Sequence, residues 1–84
     1  MINIAKYDSA VQEEILLEYG ISSSATPNYY STSATRKSDD SWSVTLSGSV
    51  YGYNNRGTSL GGSFTAYVAV DASGLIITIS VYRN

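Results

Sequence analysis

The sequence contains no cysteine and no histidine, and each absence removes a class of chemistry. Without cysteine the chain can form no disulfide and no thiolate metal cluster, and without histidine it offers no imidazole ligand to a metal. Nucleophile–base pairs of the serine–histidine or cysteine–histidine kind are excluded for the same reason. Any general base would have to be an aspartate or a glutamate.

Charged residues are also scarce in this sequence. They make up 14% of the chain, against about 25% in an average soluble domain. Five lysines and arginines stand against seven aspartates and glutamates, which gives a net charge of −2. Neutralisation of phosphates by basic side chains supplies most of the affinity of nucleic-acid-binding proteins, so this balance disfavours a nucleic-acid partner.

Long hydrophobic segments are missing as well. The apolar runs, such as residues 75–77, are far shorter than the roughly 20 residues that a membrane-spanning helix needs. The first eight residues lack the apolar stretch of a secretory signal. We therefore predict a cytoplasmic protein that does not bind membranes.

The first predicted element of this single domain (residues 1–84) is a helix from Ser9 to Tyr19. Ser9 and Gln12 have the spacing of a capping box at its start, and Gly20 suits the left-handed position beyond its end. Ile21 would then pack on Leu16. The apolar stripe of the helix consists of Val11, Ile15, Leu16 and Tyr19. This stripe has to be buried against another layer, because so short a helix is unstable alone.

The remainder of the chain has the pattern of an antiparallel sheet. Residues 29–35 are polar but rich in β-formers, and from Trp42 onward apolar and polar residues alternate in three runs. The predicted inward face consists of Trp42, Val44, Leu46, Val50, Phe64, Val68, Val70, Leu75, Ile77, Ile79 and Val81. The predicted fold class is α+β: one N-terminal helix packed on a three- to four-stranded antiparallel β-meander.

The turn residues predict how the strands pair. Residues 71–74 suit a four-residue hairpin loop, which places Val70 opposite Leu75. The preceding hairpin is predicted to be centred on Gly57. These pairings place Trp42 at the head of the inward face, so we expect its side chain to be largely buried.

The same pairings place a set of aromatic side chains on the outward face of the sheet. Tyr51 and Tyr82 are predicted to lie opposite Ser63, one on each side, and to form a shallow groove. The complete candidate partner-binding site is Tyr51, Tyr53, Arg56, Tyr67 and Tyr82. Arg56 and Arg83 are expected at the two ends of this face.

Catalysis is not expected from the carboxylates that the chain does contain. Asp39 and Asp40 are adjacent in a predicted loop, and Asp71 is explained by its turn. Paired carboxylates that act as acid and base need a fixed separation across a cleft, which this pattern does not build. We predict a protein that is not an enzyme, with no catalytic residues, metal site or cofactor.

A binding role is the function that remains. Eight tyrosines, 15 serines and seven glycines are typical of adaptable recognition surfaces. In size and composition the chain resembles the small single-domain proteins with which phages and other mobile elements block a host enzyme or defence system. We therefore predict a non-catalytic, protein-binding inhibitor that acts through the Tyr/Ser-rich face. Two alternatives stay open: a structural or assembly subunit, and a module that stacks single-stranded nucleic acid on its tyrosines.

The C-terminal strand suggests a second contact. If the meander ends there, this edge carries few charges or prolines that would discourage pairing. The edge could be covered by residues 1–5 of the same chain or by a second copy. We favour a homodimer through this strand.

Overall fold

A computed structural model describes residues 2–84, with side chains from Ile4 onward. Its elements are α1 (Ile2–Tyr7), α2 (Ser9–Tyr19), β1 (Asn28–Arg36), β2 (Trp42–Tyr53), β3 (Ser59–Val70) and β4 (Ile76–Arg83). The strands form one antiparallel sheet in the order β1-β2-β3-β4. The predicted α+β fold with an N-terminal helical region and an antiparallel meander is confirmed, with four strands.

Helix α2 has the predicted bounds, but its first turn is capped by a different residue. Asp8, in extended conformation, accepts hydrogen bonds from the backbone N–H groups of Ala10 at 2.8 Å and Val11 at 3.2 Å through Oδ1. The predicted capping box of Ser9 and Gln12 is therefore wrong. A carboxylate is the stronger acceptor, and the positive end of the helix dipole favours its charge.

The end of α2 forms as predicted. Gly20 adopts the left-handed conformation, with φ of 70° and ψ of 24°. Its N–H donates to the carbonyl of Leu17 at 3.1 Å, and the N–H of Ile21 donates to the carbonyl of Leu16 at 3.0 Å. This pair of bonds is a Schellman closure. It turns the chain so that Ile21 is buried against the sheet.

Helix α1 was not predicted. It packs against α2 and the first two strands, and Ala5 on it is fully buried. Because Ile2 to Ala5 are helical, they do not cover the edge of the sheet as a strand; Met1 lies outside the described residues. No helix of the described chain is long and apolar enough to cross a membrane.

The core lies between the helices and the inner face of the sheet. The helical layer and the segment after it contribute Ala5, Val11, Ile15 and Ile21, and the sheet contributes Val44, Leu46, Val50, Phe64, Ala66, Val68 and Val70. The Phe64 ring packs edge-to-face on Tyr29, with ring centroids 5.9 Å apart. Trp42 packs against this core from its predicted inward position and is partly buried. It heads β2 at the end of the sheet, where fewer side chains surround it.

The β2–β3 hairpin is centred on Arg56 rather than on Gly57. Asn54 and Thr58 close its loop: the N–H of Asn54 donates to the carbonyl of Thr58 at 3.1 Å. The Asn54 side chain in turn accepts the N–H groups of Arg56 and Thr58, both at 2.9 Å. Phe64 consequently lies opposite Gly48, two residues from the predicted partner Val50. A shift of two residues leaves every side chain on its predicted face, because the side-chain period of a strand is two.

The β3–β4 hairpin also has a three-residue loop, not the predicted four-residue one. The N–H of Asp71 donates to the carbonyl of Leu75 at 2.8 Å, so these two residues close the turn. The Asp71 carboxylate accepts hydrogen bonds from Ser73 and from the N–H of Leu75, and these bonds hold its pKa below the usual value. Gly74, with φ of 93°, supplies the left-handed residue that such a loop requires.

A β-bulge at the start of β4 overturns part of the predicted inward face. Val70 pairs with Ile76 and Ala69 pairs with Thr78, so Ile77 is the extra residue. Ile76 therefore packs on the core, whereas Leu75 and Ile77 are 68% and 61% exposed. Beyond the bulge the strand regains its predicted orientation, and Ile79 and Val81 face inward.

Truncation of a core leucine should destabilise the fold far more than truncation of an exposed one. Leu46 is fully buried, while Leu17 on α2 is 64% exposed. We expect Leu46→Ala to lower the free energy of unfolding by about 2–5 kcal/mol, because it leaves a cavity. Leu17→Ala should change it by less than about 0.5 kcal/mol. Urea denaturation measures both, and equal losses would contradict this assignment of the core.

One buried polar atom has no hydrogen-bond partner among the described residues. The Oη atom of Tyr29 is enclosed beside Phe64. Burial raises the pKa of Tyr29 to about 12 from 10.0, because the phenolate would lose its hydration. The unpaired hydroxyl therefore lowers the stability of the folded state, and burial of the Tyr29 ring compensates for this loss.

Tyr29→Phe should consequently increase stability, by about 1 kcal/mol at neutral pH. The wild-type protein should also lose stability between about pH 10 and 12, because the unfolded chain releases the Tyr29 proton at a lower pH than the folded one. This additional alkaline loss should be absent from Tyr29→Phe. Urea titrations at pH 7 and across the alkaline range measure both effects; a less stable variant at pH 7 would mean that the hydroxyl is bonded.

Candidate functional site

The outer face of the sheet is the side opposite the helices, and its side chains are mainly serine, threonine and tyrosine. On β2, β3 and β4 it consists of Ser43, Thr45, Ser47, Ser49, Tyr51, Tyr53, Ser59, Gly61, Ser63, Thr65, Tyr67, Ala69, Thr78, Ser80 and Tyr82. The buried side chains of both helices pack against the inner face of the sheet. The four tyrosines of the candidate site are 49–68% exposed. The outer face therefore presents large aromatic surfaces among small polar ones.

Three of the candidate residues lie at the hairpin end of this face. Tyr51 and Tyr53 lie opposite Gly61 and Ser59, and Arg56 is in the exposed loop. β1 and β4 do not extend this far, so the sheet is two-stranded here. The Tyr51 ring covers Gly61: a Cβ atom there would come within 2.9 Å of Tyr51 Cδ1. The same Cβ atom would lie closer still to the carbonyl oxygen of Val50, so the close approach of the β2 backbone, as well as the ring, requires glycine here.

The segment after α2 holds this end of β2 in place. The N–H groups of Ser22 and Ser23 both donate to the carbonyl of Tyr53 at 2.9 Å. Ser23 Oγ accepts the N–H of Tyr53, also at 2.9 Å. Ile21 packs closely against Gly52. Both the N–H and the C=O group of Tyr53 are therefore hydrogen-bonded to this segment, which fixes the backbone that carries the Tyr53 ring.

The other two candidate tyrosines form a pair on β3 and β4. Tyr67 lies opposite Ser80 and Tyr82 lies opposite Thr65, so the two tyrosines are diagonal neighbours. Their ring centroids are 5.9 Å apart with an interplanar angle of 65°, an edge-to-face arrangement. Such pairs are more favourable than their buried area alone implies. The pair forms a single aromatic projection of fixed geometry.

The predicted groove around Ser63 does not form. Tyr51 lies opposite Gly61 and Tyr82 lies opposite Thr65, while Ser63 faces Ser49. The two tyrosines are thus displaced by four positions along β3, or about 13 Å. The β2–β3 loop shifts Tyr51 by two positions. On the other side, the β3–β4 loop and the bulge at Ile77 each shift Tyr82 by one position in the opposite direction.

Arg83 does not flank the outer face as expected. It follows Tyr82, so the alternation of the strand places it on the helix side, opposite Phe64. There its Nε lies 3.6 Å from Glu18 Oε1 and its guanidinium lies 5.8 Å from the centroid of the Tyr19 ring. The Tyr19 hydroxyl donates to the carbonyl of Ser63, and burial is the main cause of its raised pKa. These contacts join the end of α2 to β3 and β4.

The acidic residues of the loops are engaged in local bonds. Asp39 accepts the hydroxyl and the N–H of Ser41, and these bonds lower the pKa of its carboxyl. Asp40, at a positive φ of 67°, forms an ion pair with Arg36. In the described part of the chain no three acidic side chains come together as metal ligands.

One concave feature was missed by the sequence reasoning. An open groove of about 450 Å³ lies between the first half of α2 and the start of β4. It is lined by Asp8, Ala10, Glu14 and residues 76–79. The sequence indicated only part of it: three consecutive apolar residues, 75–77, cannot all face the core of an alternating strand, so an apolar side chain had to be exposed there.

Comparisons of the chain with protein-family models, curated proteins and solved structures gave no match. The function has to be inferred from the geometry of the outer face and of the groove.

The aromatic pair predicts an energetic coupling that the original pairing would not produce. In a double-mutant cycle, Tyr67→Ala and Tyr82→Ala should be coupled by about 0.5–1.5 kcal/mol in the free energy of unfolding. Tyr51→Ala and Tyr82→Ala should be additive, because their rings are not in contact. Urea denaturation of the single and double variants provides the measurement. Coupling in the Tyr51–Tyr82 cycle alone would contradict this geometry and would support the groove predicted from the sequence, in which these two rings flank Ser63.

Proposed function

We propose that this chain is a small non-catalytic protein that binds another protein through the outer face of its sheet. The observation that carries the proposal is the exposure of four tyrosines on the face opposite the helices. Large exposed aromatic side chains are a feature of recognition surfaces, where they act as anchors. The serines and threonines between them can donate and accept hydrogen bonds without obstructing a partner.

The dimensions of the molecule are compatible with such an interface. A stable protein–protein contact buries about 800 Å² on each partner, which is about a sixth of the 5046 Å² surface of this chain. The outer face is carried on paired strands, so its backbone loses little freedom on binding. Its tyrosines have few rotatable bonds, which also reduces the entropic cost.

The geometry divides the proposed surface into two parts. Tyr67 and Tyr82 form the aromatic projection, and Tyr51, Tyr53 and Arg56 form the hairpin end. The distance along the strands between the positions of Tyr53 and Tyr67 is about 26 Å. A globular partner that contacts both parts would cover most of the length of the face, whereas a small one would contact a single part.

The mode of action that fits this surface is inhibition by occupancy. The chain is small and acidic, at 9.0 kDa and −2, and it resembles in type the proteins with which phages and mobile elements block a host enzyme or defence system. Such a protein acts by covering a functional surface of its target in the cytoplasm. No cofactor or catalytic group is required for this role.

The proposal predicts that loss of the exposed rings weakens binding without unfolding the chain. A partner captured from bacterial lysate by the tagged protein and identified by mass spectrometry would be titrated against the purified variants. Tyr51→Ala and Tyr82→Ala should each cost about 1–3 kcal/mol of affinity. Tyr7→Ala is a matched control, because Tyr7 is 69% exposed but lies on α1. If both outer-face variants remain folded and bind as tightly as the wild type, the outer face is not the site.

Binding of single-stranded nucleic acid is the rival use of the same tyrosines. With Arg83 turned toward Glu18, Arg56 is the arginine that stands beside the outer-face tyrosines. Fluorescence anisotropy with a labelled thymidine oligonucleotide tests this alternative. If the rival holds, Arg56→Ala weakens binding and reduces its salt dependence by about one phosphate contact.

The assembly alternative and the homodimer through β4 also stay predictions. β4 does lie at an edge of the sheet, as the homodimer requires. Sedimentation equilibrium distinguishes a monomer of 9.0 kDa from a dimer of twice that mass.

A further inference from the structure

The edge of β4 carries backbone groups that the sheet does not use. The N–H of Asn84 donates to the carbonyl of Ser63 at 3.1 Å, so this pair is hydrogen-bonded. Hydrogen-bonded and open positions alternate along an antiparallel edge strand. The N–H and C=O groups of Ile79 and Val81 consequently point away from β3. Within the described residues, β4 is the last strand on this side of the sheet.

The groove beside this edge is lined by three isoleucines and a threonine of β4, and on the side of α2 by two acidic residues that form its acidic rim. Residues 76–79 form the strand side, where Ile77 is exposed because of the bulge. Ala10 lines the helix side, and Asp8 and Glu14 supply the ionisable groups of the lining. Lys6 is directed elsewhere, with its ammonium 5.7 Å from the centroid of the Tyr29 ring.

The positive end of α2, equivalent to about half a charge, offsets part of the charge of Asp8 but not that of Glu14, which lies beyond the first turn. Asp8 caps α2 by accepting two N–H groups through Oδ1, so the positive end of the helix is already satisfied. Glu14 is exposed. The local field of the groove therefore favours a cation over an anion.

We propose that the β4 edge and this groove bind an extended segment of a partner protein that carries a lysine or arginine. The segment adds to the sheet as a fifth strand by bonding the free backbone groups of Ile79 and Val81. The aliphatic stem of its basic side chain lies on Ile77, and the charged end reaches Asp8 and Glu14. This contact lies at the sheet edge, separate from the outer face.

The same features argue against a second copy as the occupant. Two β4 strands paired about a two-fold axis would bring the α2 helices of both copies side by side. Each of these helices carries Glu13, Glu14 and Glu18, and like charges across an interface are unfavourable. The bulge at Ile77 also interrupts the regular edge that a symmetric pair of strands would share.

The first test uses a designed peptide as the probe. A fluorescein-labelled peptide of alternating valine and threonine with one central lysine should bind the full chain saturably in an anisotropy titration. The same peptide with glutamate at its centre should bind at least about tenfold more weakly, because its charge is repelled by the rim. Amide exchange measured by NMR should slow at Ile79 and Val81 when the lysine peptide is bound.

Two matched pairs of variants locate the site. Glu14→Lys should weaken binding of the lysine peptide by about tenfold, whereas Glu13→Lys, one position away and outside the groove, should leave it nearly unchanged. Ile77→Lys should block the groove, and Leu75→Lys, at a similarly exposed position outside it, should not. All four side chains are exposed, so each variant should keep the circular dichroism spectrum of the wild type.

The outcomes are distinguishable from those of the outer face. Tyr67→Ala should leave peptide binding unchanged if the groove is the site. Absence of saturable binding by the lysine peptide, equal binding of the two peptides, or equal effects of Glu13→Lys and Glu14→Lys would each overturn the proposal. A dimer in sedimentation equilibrium that Ile77→Lys converts to a monomer would also overturn it, because the edge would then be occupied by a second copy.

Discussion

Burial of the inner face of β2 and β3 beneath α2 is the interaction on which the rest of this structure depends. The chain has no disulfide to hold it, and a domain of this size buries a modest fraction of its surface. Val11 and Ile15 on the helix and Leu46 and Phe64 on the sheet are all fully buried. The helix, which is too short to be stable alone, and the sheet, which would expose an apolar face, therefore stabilise each other.

The two candidate binding surfaces are consequences of this arrangement. One helical layer covers one face of the sheet, so the tyrosines that alternate with the core residues project from the opposite face. Helix α2 also lies beside β4 with a groove between them, and the outer edge of β4 has no neighbouring strand among the described residues. The outer face offers aromatic anchors, while the edge offers backbone hydrogen bonds and negative charge. A protein of 84 residues could thus contact partners at two separate places.

Local patterns predicted much of the fold. The α2 bounds and its Gly20 closure follow from helix periodicity and from the freedom of glycine to adopt positive φ. The inward orientation of Val44, Leu46 and Phe64 follows from their alternation with polar residues. The cap at Asp8 was missed because Ser9 matched a known motif equally well, and only the path of the chain shows which side chain reaches the free N–H groups.

The sequence by itself determined which side chains of β2 and β3 face the core, because alternation assigns a side chain to a face regardless of an even shift in pairing. On β4 the bulge overturned this assignment at residues 75–77. Outside that segment, the sequence also determined that Tyr51, Tyr53, Tyr67 and Tyr82 share the outer face. Only the tertiary structure decided which tyrosines meet, since that depends on loop lengths and on the bulge at Ile77, where side-chain hydrogen bonds and packing against the helices select among similar turns. The groove has the same origin: it exists because two elements distant in sequence lie side by side, and no local pattern encodes that distance.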